Sequence, residues 1–98
     1  MNIEISGFDW DDGNIEKCAK HGASIEEIEQ IFHQNPGIAA DTKHSDVEQR
    51  YIAIGKCENS RPMFVAFTMR KINGENYIRP ISARYMHEKE VLSYEKSS

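Results

Sequence analysis

An α+β fold, with two N-terminal helices packed on a small antiparallel sheet and a short C-terminal helix, follows from three features of this 98-residue sequence. Apolar residues recur at helical spacing from Ile25 to Phe32, directly behind a Ser24–Glu27 pair with capping-box spacing. From Gly37 the pattern changes to short runs of β-branched and aromatic residues. Asn59-Ser60 and Asn73-Gly74 separate those runs and fold consecutive strands back as hairpins. Helices that cover one sheet face leave the other free to stay wet.

Asn2 to Phe8, with Ile3 and Ile5 alternating with polar partners, predicts a first strand ending near Gly7. Asp11 and Asp12 suit a helix start, Ile15, Cys18 and Ala19 share one helical face, and Gly22 offers a stop, so the first helix covers Asp12 to His21. The second begins at Ser24, buries Ile25, Ile28, Ile31 and Phe32, and ends before Asn35-Pro36-Gly37. Strands are expected at Ile38–Asp41, Arg50–Gly55, Met63–Thr68 and Tyr77–Ala83. Alternation puts Thr68 and Arg70 on one face and Val65, Phe67 and Met69 on the other. Met86 to Glu95 closes the chain as a helix with Val91, Leu92 and Tyr94 available for packing.

The length fits a single domain, residues 1–98, with one core that needs no disulfide or structural metal. The Met1–Gly7 stretch is too short and too acidic for a secretory signal, so Cys18 and Cys57 are expected as reduced thiols in the cytoplasm. No apolar run approaches the length of a membrane-spanning helix. A net charge of −4 argues against a polycationic surface but leaves room for a local basic site. Acids dominate Glu4 to Glu29, while Arg50, Arg61, Arg70, Lys71, Arg79 and Arg84 gather in the second half.

Those arginines are the first functional signal. Arg50, Arg70, Arg79 and Arg84 lie on or beside strands, with Glu48, Thr68 and Ser82 near them. A guanidinium presents a planar fork of donors suited to phosphate oxygens. The bland alternative is that each is solvated or paired with one of the many acids. Arg79 and Arg84 differ by an odd number, so strict alternation sends them to opposite faces. A shared site requires an irregularity near Pro80, which lacks a ladder donor, or a placement of Arg84 past the strand end.

Lys20-His21-Gly22 ends the first helix, where a cation pair favours the exposed carbonyls. Histidine as a residue type titrates near neutrality, so His21 is a candidate proton carrier if it faces the arginines. Cys18 and His21 stand one helical turn apart, but a structural zinc site needs four ligands and no matching half is present. Cys18 is better placed in the core. No phosphate-binding loop, dinucleotide motif or nucleophile signature occurs, and no cofactor is expected.

Taken in order, Phe8-Asp9-Trp10-Asp11, Lys20-His21-Gly22, Phe32, Glu48-x-Arg50-Tyr51, Ile54-Gly55, Thr68-x-Arg70, Ile81-Ser82-Ala83-Arg84, and Glu90 with Tyr94 resemble the BrnT family of toxins. The resemblance implies a RelE-like ribonuclease fold and the toxin half of a type II toxin-antitoxin pair, which cleaves RNA to inhibit translation and growth. It implies a BrnA-like ribbon-helix-helix antitoxin as partner, with operator DNA contacted only through that antitoxin. It further implies metal-independent attack by a ribose 2′-hydroxyl. Arg50, Arg70, Arg79 and Arg84 would stabilise phosphate charge, and Lys20 or His21, with Glu48 as alternative, would move protons.

The sequence departs from the family pattern at three places. Asn14 and Cys18 stand where the family usually shows Lys and Asn, which removes polar groups near the expected site. Pro80 replaces an aliphatic residue. These departures define the alternative: a non-catalytic toxin that serves as the antitoxin-binding subunit of an operon-repressing complex.

Overall fold

The computed structural model describes residues 4–44, 48–57 and 61–97. The elements run β1 (Gly7–Phe8), α1 (Asp12–Ala19), α2 (Ile25–His33), β2 (Gly37–Ala40), a single 3-10 turn (Thr42–His44), β3 (Tyr51–Lys56), β4 (Pro62–Ile72), β5 (Glu75–Tyr85) and α3 (Glu88–Ser97). Among the described residues they form an α+β arrangement of three helices and one five-stranded sheet in the order β1-β5-β4-β3-β2.

From β2 to β5 the sheet is an antiparallel meander. The exception is β1, which pairs parallel to β5 through Gly7–Tyr77 and Phe8–Ile78. The first strand is also shorter than its alternating pattern predicts. Ser6 and Asp9 still bond the Asn76 and Ile78 carbonyls, but the ladder stops there as the chain turns into α1. Residues 1–3 of the expected strand lie outside the described residues, as do Asn59 and Ser60 of the expected turn. The other turn is as predicted: Asn73 and Gly74 take φ of 51° and 81°, the left-handed pair that joins twisted strands through two residues.

Alternation sorts the residues of β3, β4 and β5 onto two faces. Ala53, Met63, Val65, Phe67 and Ile78 are buried on one, with Ile28 and Ile31 of α2, Cys18 of α1 and Ala23 packed among them. Phe67 sits at the centre, edge-on to Phe32 at 5.0 Å and stacked with Tyr51 at 5.4 Å. Full burial of each such side chain contributes about 1.5–3 kcal/mol. α2 approaches β3 so closely that a Cβ on Gly55 would lie 3.0 Å from Ile31 Cγ2. Its start is the expected capping box, with the Ser24 hydroxyl accepting from the Glu27 N–H and the Glu27 carboxylate from the Ser24 N–H.

α1 lies against β5. It ends at Ala19, short of the expected His21, because Gly22 at φ 87° returns its N–H to the Ala19 carbonyl. Its buried residues are Asn14 and Cys18, one turn apart, while Ala19 is exposed and so does not join the predicted apolar face. Burial pushes the Cys18 thiol up to about 11. The C-terminal helix also differs from expectation: Leu92 is 60% exposed and, among the described residues, is not part of the core cluster, and the Tyr94 side chain lies outside the described residues.

Candidate functional site

The register of β4 on β5 decides where the arginines go. Thr68 pairs with Arg79 and Phe67 with Pro80, but the next pair is Ala66 with Ser82, so Ile81 is an extra residue in a β-bulge. Further on, Phe64 pairs with Arg84. Thr68 and Phe64 are an even number apart and share a face, and therefore so do Arg79 and Arg84. The irregularity that the odd spacing demanded is this one inserted residue. Pro80, which has no N–H for the ladder, stands beside it.

That face carries two adjoining hollows. One, of about 350 Å³, is lined by Glu48, Arg50, Arg70 and Arg79, by Gly13, Asn14 and Lys17 of α1, and by Pro80 and Ile81. The other, of about 460 Å³, has an apolar floor of Ile52, Phe64, Ala66 and Ile81. His21, Asp41, Arg50, Ser82, Ala83 and Arg84 complete its lining. Arg50 and Ile81 belong to both, so the two form one groove across β3, β4 and β5.

The arginines reach this groove in carboxylate company. Arg70 Nη1 meets Glu48 Oε2 at 2.5 Å. Arg79 donates to Asp11 at 2.8 Å, to the Asp9 carboxylate at 3.3 Å and to the Asp9 carbonyl at 3.5 Å. The Asp11 bond is the chief cause of an Arg79 pKa above the ordinary guanidinium value. Arg84 holds Glu90 through two parallel bonds, of 2.8 and 2.9 Å, and this fork draws the Glu90 carboxyl down to about 2. Arg50 enters just ahead of β3, where the Thr68 hydroxyl donates to the Gln49 carbonyl at 2.7 Å and fixes the segment that bears Glu48.

Asn14 ties these parts together. It is only 5% exposed. Its Nδ2 donates to the Pro80 carbonyl at 2.8 Å and the Asp9 carbonyl at 3.0 Å, while its Oδ1 accepts the Asp11 N–H at 2.7 Å. Asp11 returns a bond by accepting the Asn14 N–H, the foremost reason its carboxyl lies below the usual range. One amide thus anchors the bulge and the loop whose carboxylates hold Arg79. Position 14 therefore does not lose its polar group near the site, contrary to the expectation from the family pattern. Cys18, by contrast, is buried in the core.

Of the sequence-derived candidates, Glu48, Arg50, Arg70 and Arg79 come together around one hollow, and His21 and Arg84 line its neighbour. Lys20 is exposed at the end of α1 and lines neither. Lys17 was not singled out in the sequence; Asp9 and Asp11 entered only through the family resemblance and the helix start, and Asn14 only as a departure from the family pattern, none of them as a site residue. Asp11 and Asn14 carry a legible signal, the three-residue spacing of a capping box, but its reach to β5 is visible only in the fold. Among the described residues, no group of three or more His, Cys, Asp or Glu side chains is arranged to hold a metal ion.

Residues 10–90 match a family model described as the ribonuclease toxin, BrnT, of type II toxin-antitoxin systems. The chain belongs to the BrnT family. No individually curated protein matches it. The BrnT match spans every candidate residue from Lys20 to Arg84 and ends on Glu90 in α3. BrnT membership makes this a toxin family with ribonuclease activity and implies a protein antitoxin as partner.

Proposed function

We propose that the chain is a single toxin domain, residues 1–98, which cleaves RNA without a metal ion through the groove described above. Support comes from one observation above all: Glu48, Arg50, Arg70 and Arg79 surround a single hollow in a member of a ribonuclease toxin family. A phosphodiester seated there would meet several guanidiniums, which stabilise the charge that builds on its oxygens as the reaction proceeds. The 2′-hydroxyl attacks the adjacent phosphorus and loses its proton to a base. The bond to the 5′-oxygen breaks as an acid protonates it, leaving a cyclic phosphate and a free hydroxyl. Glu48, inside the hollow, and His21, beside it, are the groups proposed for proton transfer, with Lys20 as a more distant candidate.

The same proposal includes a RelE-like fold, cytoplasmic action on translation, and neutralisation by a BrnA-like ribbon-helix-helix antitoxin that alone touches operator DNA. Membrane association forms no part of it: no helix among the described residues is long and apolar enough to cross a membrane. A second reading is favoured by the ion pairs. Arg70, Arg79 and Arg84 are already matched by carboxylates, as suits a non-catalytic subunit whose task is to bind the antitoxin.

Incubation of the purified protein with single-stranded RNA, with and without chelator, separates these readings. The expected result is chelator-resistant cleavage with cyclic phosphate ends, and a loss of about 100-fold or more in kcat/KM for Arg79→Gln. Intact RNA, with operator binding retained by the antitoxin complex, would establish the non-catalytic reading instead.

A further inference from the structure

The two ends of the groove differ in chemistry, and Arg84 is the reason to look closely. A guanidinium has five N–H donors. Three of those on Arg84 are already used: Nη1 donates to Glu90 Oε1 at 2.8 Å and to the Tyr85 carbonyl at 3.3 Å, and Nη2 to Glu90 Oε2 at 2.9 Å. The carboxylate it faces is itself fixed, because Glu90 Oε1 also accepts the His87 N–H at 2.8 Å and so caps the first turn of α3. The Arg84 carbon Cζ also lies over the Phe64 ring, 4.6 Å from its centre. The side chain remains 39% exposed and lines the larger hollow.

A guanidinium clamped along its edge and backed by an aromatic ring has lost much of its use as a phosphate fork. What it offers is its flat face. Unpaired nucleobases stack on arginine planes as they do on aromatic rings. The surrounding hollow suits such a guest: the floor of Ile52, Phe64, Ala66 and Ile81 is apolar, and His21, Asp41 and Ser82 supply polar groups for a base edge. At about 460 Å³ it is roomy enough, and it adjoins the arginine-lined hollow through Arg50 and Ile81. A phosphate in one hollow brings its own nucleoside to the other.

We infer that Arg84 is a base-stacking platform, which seats one unpaired nucleobase of single-stranded RNA beside the phosphate held at Arg50, Arg70 and Arg79. Glu90 and Phe64 are positioning residues that hold the platform flat. This rests on the RNA-cleavage reading and sharpens it, because it assigns Arg84 to recognition and leaves charge stabilisation to the other three arginines.

The test uses short single-stranded RNA whose 2′-hydroxyls are O-methylated, so that binding is read without cleavage, and a set of oligomers in which each base in turn is absent. For the wild-type protein, one abasic position should weaken binding about 5- to 100-fold. Arg84→Lys keeps the charge but not the plane, and should lose that discrimination. Arg84→Tyr keeps a plane but not the charge, and should retain it. The slope of log affinity against log salt should be the same for Arg84→Gln as for wild type, whereas loss of a phosphate contact would reduce it by about 0.7.

Phe64→Leu, which leaves the Arg84–Glu90 pair intact, should also blunt the abasic effect and guards against variants that merely loosen α3. Retained discrimination in Arg84→Lys together with a reduced salt slope in Arg84→Gln would overturn the platform while leaving RNA cleavage standing. A wild-type protein that binds no RNA would overturn both.

Discussion

Arg79 and Arg84 share a strand and a face, yet they are held in opposite ways. Arg79 stands before the bulge and meets two carboxylates, Asp9 and Asp11, from the loop ahead of α1. Arg84 stands beyond it and meets one carboxylate, Glu90, with both terminal nitrogens. Separate bonds can be exchanged one at a time for phosphate oxygens. A two-pronged fork holds its geometry as a unit. The contrast teaches that four arginines on one sheet need not do one job, and that the partner of each, more than its charge, marks what it is for.

The bulge is what makes the comparison possible, so cancelling the register it sets has the largest expected effect. Inserting one alanine between Ser82 and Ala83 shifts the strand beyond the bulge by one residue and sends Arg84 to the buried face, opposite Met63. An unpaired charge in the core costs several kcal/mol. Denaturant unfolding should show a loss of about 3–5 kcal/mol or no cooperative transition at all; near-wild-type stability would mean that the strand tolerates either register.

A smaller change separates the two arginines. Asn14→Leu keeps the volume but leaves the Pro80 and Asp9 carbonyls without their amide donor, at a cost of about 2–4 kcal/mol. The disturbance should stay at the Arg79 end. Nuclear magnetic resonance of the guanidinium groups should show Arg79 shifting and Arg84 unmoved, and a joint shift would mean that the two ends are coupled through the bulge.

The smallest effect is electrostatic. Glu90 has its carboxyl depressed to about 2, chiefly by the Arg84 bonds, so its contribution is complete above the ordinary value of 4.5 and fades as pH falls through about 2. Acid titration should show α3 losing helicity only at the bottom of that window, and Glu90→Gln should erase the dependence. A carboxyl midpoint near 4.5 would mean that the fork does not persist in solution.

Much of this was legible in the chain. The capping box at Ser24 and Glu27, the 3–4 spacing of Ile28 and Ile31, and the Asn73-Gly74 turn are local signals, and each fixes local structure. Long-range placement was harder. The parallel pairing of β1 depends on where α1 delivers the chain, and no residue in Gly7–Phe8 encodes it. Pro80 marked the irregularity, but the extra residue proved to be Ile81, because extrusion is settled by which β4 neighbours pack, Phe67 on one side and Ala66 on the other. The separation of acids and arginines along the sequence also misled. In space Asp9 and Asp11 lie on Arg79, so a polarised sequence folds into a surface of matched pairs.

The Asn73-Gly74 turn has a kinetic consequence. It joins two 11-residue strands through a connection of two residues, so β4 and β5 meet at almost no cost in loop entropy. Hairpins of this kind form within microseconds, well before distant segments such as β1 find their place. The bulge lies inside that hairpin. The relative aim of Arg79 and Arg84 is thus set early as the chain folds, and the carboxylates of Asp9, Asp11 and Glu90 dock afterwards onto a strand whose register is already decided.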